Sequence, residues 1–534
     1  MGHQNRELRK ELEKIIPPET TPVRRPAILG LVFLRYICAA AEEYDAKNAF
    51  PPQRKADAPE GGNNSDPAAE ASGQATDRSQ ATDRNRSPER FFVPDCVRWD
   101  RIFPRNDPAG ESTGGNAGAG KDTGENAGEL REIAGAIRAV ERENPLLRGL
   151  FPDVLKYPPG RSSRPPEDGS LFPAELGRFL EDLCAREAAW TFKYLWERFE
   201  KTSGPDPLEN LRASTARRGR SGKTGETPIP HCVAELLAHM LEPYQGRFYD
   251  PCCRSAAFLT GAADFVTSRQ GKLPDISFYA QERSLEAWRF AGMNLIVRDI
   301  DTTDILLNPD SPLQRDRFRD LKFDFITACP SFGENPYSWI QYVLDRLSPV
   351  GLGAIVLSRG SLSSFREGDR EIRRTLVDGR LLDCVVNLPP RIIGALNPCL
   401  WFLSRAKAGR GRRADELLFI DARQLGRSRD RRHWEFSGED ISRIARTYHN
   451  WRFPKAAPYR DLRQFAVSIS LSQIREEQYN LNPAFYLGIP ETGEDTGQEV
   501  RFAALRAEFE ELVREDSRLS RQLVENLRKI RFED

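Results

Sequence analysis

Between about Pro228 and Asp421 the chain alternates short apolar runs with amphipathic segments, and this alternation restricts the fold more than any other feature. "RFYDPCC", "DISFYAQE", "FDFITACP", "GLGAIVLS", "LLDCVVNLP", "CLWFLSRA" and "ELLFIDA" read as strands. "AAFLTGAADFVTSR", "LEAWRFAGMNLIVRD", "YSWIQYVLDRLSP" and "EIRRTLVDG" read as helices between them. Runs of four to eight apolar residues separated by helix-length periodic segments build a doubly wound, mostly parallel α/β sheet of Rossmann-like type. In such a sheet, ligands bind beyond the carboxyl ends of the strands.

At 534 residues the chain is too long for one ordinary core. Residues 227–430 form the α/β domain, and 1–50 with 91–200 form an α-helical N-terminal domain. In the latter, Leu29, Leu31, Val32, Leu34, Ile37 and Cys38 give one helix a broad apolar face. Arg35 interrupts that run, which is also too short to span a bilayer, so no membrane role is expected. Residues 51–90, with "QATDR" twice, and the Gly/Asn-rich stretch 106–128 cannot bury a core and read as a disordered and a flexible insertion. Residues 201–226 are a basic linker, in which Arg212, Arg217, Arg218, Arg220 and Lys223 either touch phosphates or stay solvated. Residues 431–494 form a C-terminal extension. In 495–534, Leu505, Phe509, Leu512, Leu519, Leu523, Leu527 and Ile530 recur at helical spacing, giving a tail helix suited to subunit pairing or to packing on its own domain.

Basic and acidic residues balance at 79 each, so a strongly basic footprint is absent and any nucleic-acid contact must be local. The nine cysteines contain no CxxC pair, which argues against a zinc ribbon or a secreted disulfide framework. Met1–Lys10 is charged, with no apolar core after it, and a reducing cytoplasm is the expected location. His231 and His239 have no acidic pattern around them and are expected to be structural.

The expected chemistry sits at strand ends. Asp250 closes the first strand, and "PCCRSA" turns into a helix where backbone N–H groups can meet a ligand. Glu282 closes the next strand, where an acid is placed to take ribose hydroxyls. The third element is "FDFITACPSF".

With it, the chain resembles the modification subunits of type I restriction-modification systems, the adenine-N6 DNA methyltransferases that use S-adenosylmethionine. "AILGLVFLRYICAAAEE", "FFVPDCVRW", "ENPLLRGLFP", "YDPCC", "YAQE", "WRFAGMNLIVRDID", "LLDCVVNLP", "PCLWFL" and "IARTYHNWR" occur in that family's order. The resemblance implies that Asp250, Pro251, Arg254, Ser255 and Ala256 approach the methionine part of the cofactor. It further implies that Glu282 holds the ribose and Asp310 faces the cofactor's adenine. Cys329, Pro330, Ser331 and Phe332 match the catalytic Asn-Pro-Pro-Phe motif, which grips a flipped adenine. The implied partners are DNA, a DNA-specificity subunit and a restriction subunit.

The departures cluster in these same places. Cys329 replaces the asparagine, and a thiol is a weak acceptor. Ser331 replaces a proline, Arg254 and Ala256 replace loop glycines, and "GETPIP" lacks the family's paired aromatics. Together they predict a subunit whose transfer activity is lost or strongly impaired; the alternative is an active methyltransferase with an atypical pocket. Arg254 is expected either to fill the pocket or to bind another anionic ligand.

Overall fold

The computed structural model of the protein describes residues 2–16, 20, 24–48, 91–94, 97, 99–102, 122–156, 174–202, 229–331, 334–393, 397–409, 411–428, 434–453 and 458–488. Its centre is a sheet of nine strands: β1 (Gly246–Asp250), β2 (Ile276–Glu282), β3 (Ile305–Leu307), β4 (Phe323–Ala328), β5 (Leu347–Ser358), β6 (Leu382–Asn387), β7 (Pro398–Ser404), β8 (Glu416–Asp421) and β9 (Ala466–Ser470). They lie in the order β9-β8-β6-β7-β5-β4-β1-β2-β3. β1 pairs in parallel with β2 and with β4, and the parallel pairing continues to β3 and β5 at either side. β7 is inserted antiparallel between β5 and β6, and β9 closes the far edge antiparallel to β8.

Every residue of β6 and β7 is buried, which is why "CLWFL" reads as an unbroken apolar run. Alternate side chains serve opposite faces. Leu400, Phe402, Val386 and Leu418 pack in one core with helices α5 (His231–Leu241), α6 (Ala257–Ser268) and α10 (Gly438–Arg452). Trp401, Leu403, Val385 and Phe419 face the other core, with α8 (Pro336–Arg346) and α9 (Glu367–Asp378).

The α/β domain does not stop at 430. Ile444, Tyr448 and Trp451 of α10 lie in the same core as α5, and β9 carries the sheet to Ser470. Neither β3 nor β9 stands out as a strand, because β3 has only three residues (ILL) and β9 alternates Val467 and Ile469 with serines over only four.

In the helical domain, α1 (Gly2–Ile15) precedes α2 (Arg25–Asn48), which packs along α4 (Ala185–Thr202). Arg35 is buried on α2, where its Nε donates to the Leu183 carbonyl at 3.1 Å and Nη1 meets Glu42 at 3.3 Å. Helix α3 (Asp122–Glu143) begins inside the stretch expected to be flexible; its N-terminal turns extend a segment whose Ile133, Ile137 and Val140 are buried. Residues 51–90, 106–121, 203–226 and 495–534, with the inserts, linker and tail helix assigned to them, lie outside the described residues. Among the described residues no helix is long and apolar enough to cross a membrane.

Helix α7 (Leu285–Ile296) joins the two domains. Ala291 and Leu295 belong to the sheet core, whereas Phe290, Met293 and Ile296 belong to the core of the N-terminal helices. Burying each of these larger side chains is worth ~1.5–3 kcal/mol. Arg289 fixes the contact: Nε donates to the Gly149 carbonyl at 2.8 Å and Nη2 meets Asp153 at 2.7 Å. Substituting Arg289→Met should destabilise the docked helical domain by about 2 kcal/mol, because charge-assisted bonds of this kind contribute ~1.5–3 kcal/mol. Limited proteolysis should then cut residues 140–156 earlier than in the wild type.

Candidate functional site

Strand β1 is the point at which the chain reverses its direction of winding: β2 and β3 are added on one side and β4 and β5 on the other. The crevice therefore opens where the β1 loop meets the end of β4, as the topology of such sheets requires. Residues 250–256 form that loop. Both Arg254 (φ 51°) and Ala256 (φ 64°) adopt the left-handed conformation. Glycine enters this region freely, whereas other residues pay ~1–2 kcal/mol each. The two positions that depart from the glycine pattern are thus the two whose backbone needs glycine.

The loop holds its shape through other bonds. Cys253 N donates to the Gln281 carbonyl at 3.1 Å, Ala256 N to the Cys253 carbonyl at 2.7 Å, and Asn294 Nδ2 to the Ser255 carbonyl at 3.0 Å. The Glu282 carboxylate gathers the neighbouring backbone: Oε2 accepts from Arg254 N and Oε1 from Ser284 N, both at 2.7 Å. Asp250 is fully buried, with Oδ1 accepting from Cys252 N at 3.0 Å and Oδ2 without a hydrogen-bond partner. Burial pushes its pKa up to about 7; the Glu282 charge adds to the rise and Arg254 opposes it.

Arg254 is only 8% exposed. Its guanidinium crosses the crevice, and Nη2 donates to the Cys329 carbonyl at 3.2 Å. Cys252, Arg254, Glu282, Cys329, Pro330 and Ser331 line a cavity of about 30 Å³. One water needs ~10–15 Å³ and a small-molecule site ~300–1,000 Å³, so there is room for about two waters.

Most of the expected residues are brought together. Asp250, Pro251, Arg254, Ser255 and Ala256 are buried in the loop, Glu282 ends β2, and Cys329, Pro330 and Ser331 follow β4. Phe332 lies outside the described residues. Asp310 stands apart: it is exposed, with Oδ2 3.6 Å from Arg315 Nη1. Arg283, Pro312, Glu334 and Trp339 also line the cavity and were not expected. Glu334 bridges them, accepting from Trp339 Nε1 at 2.6 Å and from Arg283 Nη1 at 3.4 Å. "GENPYSW" follows the motif directly, and that adjacency was the available signal.

Elsewhere, His239 is half-buried on α5 with its Nε2 3.9 Å from Glu235, and no group of residues fit to hold a metal occurs among the described residues. Arg413 is not solvent-facing as a hairpin would place it; its guanidinium packs over the Trp451 and Tyr459 rings.

Comparison with known proteins converges on one family. The N-6 DNA methylase profile matches residues 211–338 and 333–495. The chain belongs to the N-6 DNA methylase family. It is 30% identical over 436 residues to the HindI methylase subunit, a type I restriction enzyme subunit of Haemophilus influenzae, covering 74% of this chain and 90% of that one. The MjaIX methylase subunit of Methanocaldococcus jannaschii is 24% identical over 422 residues, covering 72% of each. In fold, the chain matches the type I methyltransferase subunit of Streptococcus thermophilus with a TM-score of 0.61 at 17% identity, over 91% of this chain and 99% of that one. The chain therefore shares that subunit's fold over 91% of its length, while the family profile spans residues 211–495.

The buried Asp250 gives this methylase-family loop a pH signature. A folded pKa near 7 lies above the ordinary 3.8, so its stability contribution is greatest below pH 4, falls as pH rises, and is lost above about 7. Asp250→Asn keeps an oxygen for Cys252 N and cannot ionise. It should raise stability by roughly 2–4 kcal/mol at pH 8. That gain should shrink toward zero as the pH drops to 4, read as melting temperature against pH.

Proposed function

We propose that the protein is a modification-type subunit of a type I restriction-modification assembly that keeps the DNA adenine-N6 methyltransferase fold with its transfer activity lost or strongly impaired. It acts with DNA, a DNA-specificity subunit and a restriction subunit in this reading. Support for the assembly comes from the named relatives, both methylase subunits of type I restriction enzymes. Support for the impairment rests on one observation: the Arg254 side chain spans the crevice to the Cys329 carbonyl and leaves about 30 Å³.

In this family S-adenosylmethionine supplies the methyl group. The residues here do not fit it as arranged. Arg254 fills the crevice, and the Glu282 carboxylate gives one acceptor site of each oxygen to backbone N–H groups, leaving a ribose the remaining lone pairs. At the target-base side, Cys329 puts a weakly accepting thiol where an amide oxygen would draw electron density onto the adenine nitrogen. Loss of one such positioned group costs ~10²–10³ in rate. Cofactor-side and base-side losses combine.

An active enzyme with an atypical pocket is the second reading. It is favoured by Asp250, whose buried, unpartnered Oδ2 is an acceptor a polar ligand could use.

Calorimetric titration of the full chain with S-adenosylmethionine separates the two. No saturable heat is expected for the wild type. Arg254→Gly combined with Ala256→Gly and Cys329→Asn removes the plug, relieves both left-handed side chains and should yield micromolar binding. Saturable binding by the wild type, followed by methyl transfer to duplex DNA, would overturn the impairment.

A further inference from the structure

Outside the pocket, the most exposed large apolar side chain among the described residues is Phe365, which is fully exposed between β5 and α9. An isolated apolar side chain on a surface is ordinary, but this one sits on a turn that is firmly held. Arg373, 2% exposed, donates from Nη2 to the Ser364 carbonyl at 2.7 Å, from Nη1 to Tyr337 Oη at 2.7 Å and from Nε to the Tyr479 carbonyl at 2.9 Å. Ser364 Oγ donates to Asp369 Oδ2 at 2.6 Å, and Leu481 N donates to the Leu362 carbonyl at 3.0 Å. The turn is pinned from three sides, and none of these bonds draws the ring inward.

Its location carries the argument further. The turn leaves the carboxyl end of β5, the strand next to β4 and hence next to the Cys329–Ser331 segment. Tyr337 Oη, on the helix after that segment, donates to the Ser361 carbonyl at 2.5 Å and ties the two together. Along the same rim Arg366 and Arg391 are exposed and form no ion pair among the described residues, whereas Arg359 is half-buried with its Nε inside. Arg359 N donates to the Asn397 carbonyl at 2.9 Å, which brings the β5 turn beside the β6–β7 connection that carries Arg391. Of the nearby acids, Glu371 is paired with Arg374, while Asp369 accepts from the neutral Ser364 hydroxyl and keeps its charge, as does Glu367.

We propose that Ser363–Arg366 is a nucleic-acid contact in which the Phe365 ring stacks on or between bases while Arg366 and Arg391 take phosphates. An aromatic ring flanked by cations is the arrangement that binds bases with little sequence preference. Held rigidly, it loses little freedom on binding. The inference rests on the DNA-associated reading above and is independent of whether methyl transfer survives.

The test is anisotropy of a fluorescein-labelled DNA duplex carrying one unpaired adenine, titrated with the full chain at several salt concentrations. Phe365→Ala should weaken binding about tenfold, as expected for one base-stacking ring, with an unchanged salt slope. Arg366→Ala with Arg391→Ala should instead flatten the slope of log K against log salt by about 2, near 0.9 per phosphate. The exposed positions make both variants safe for folding, and circular dichroism checks this. Wild-type binding that Phe365→Ala leaves unchanged would overturn the inference alone. Absence of wild-type binding at low salt would overturn the DNA-associated reading and the inference with it. Unchanged DNA affinity together with loss of a wild-type self-association, measured by sedimentation, would assign the ring to a protein contact and equally overturn it.

Discussion

Parallel pairing of β1 with β2 on one side and β4 on the other places Asp250, Glu282 and Cys329 around a single crevice. Each residue ends or follows its own strand, so hydrogen-bond register rather than loop sequence fixes how near they come. The bonds from Arg254 N and Ser284 N to the Glu282 carboxylate then stitch the β1 loop and the start of α7 to the same acid. A substitution in the loop alters what fills the crevice without moving its walls.

Two costs are stored at that spot. Arg254 and Ala256 sit in left-handed backbone that disfavours side chains, and Asp250 buries a carboxyl oxygen without a partner. Ala256 buries only one methyl group, worth ~0.8 kcal/mol against ~1–2 kcal/mol of backbone strain. A loop shaped for glycine thus stands beside a buried acid with one oxygen unpartnered among the described residues.

The sequence made the central strands legible because β6 and β7 are buried on both faces, and buried strands spell continuous apolar runs. It made Asp250 and Glu282 legible because strand ends in this topology are where polar ligands meet the chain. It did not make β3 or β9 legible, since each is stabilised by neighbours rather than by its own pattern. Asp310 shows another limit: a motif position expected to face the cofactor's adenine has its side chain exposed and near Arg315. Glu334 and Trp339 escaped notice because their shared bond exists only once α8 has packed. Turn geometry and side-chain direction are tertiary facts, and composition carries little of either.

From Arg289 to Ile296 every residue of helix α7 is buried. One side completes the sheet core through Ala291 and Leu295, and the other completes the helical domain through Phe290, Met293 and Ile296. Its first turn is capped by Ser284 Oγ, which accepts from Ala287 N, and the same serine's N–H holds Glu282. The N-terminal domain therefore works as the missing outer layer of the sheet domain rather than as an appendage. A fragment beginning at residue 229 would expose a greasy stripe on α7 and loosen the brace behind Glu282, so the natural unit of inheritance and of expression is the two domains together.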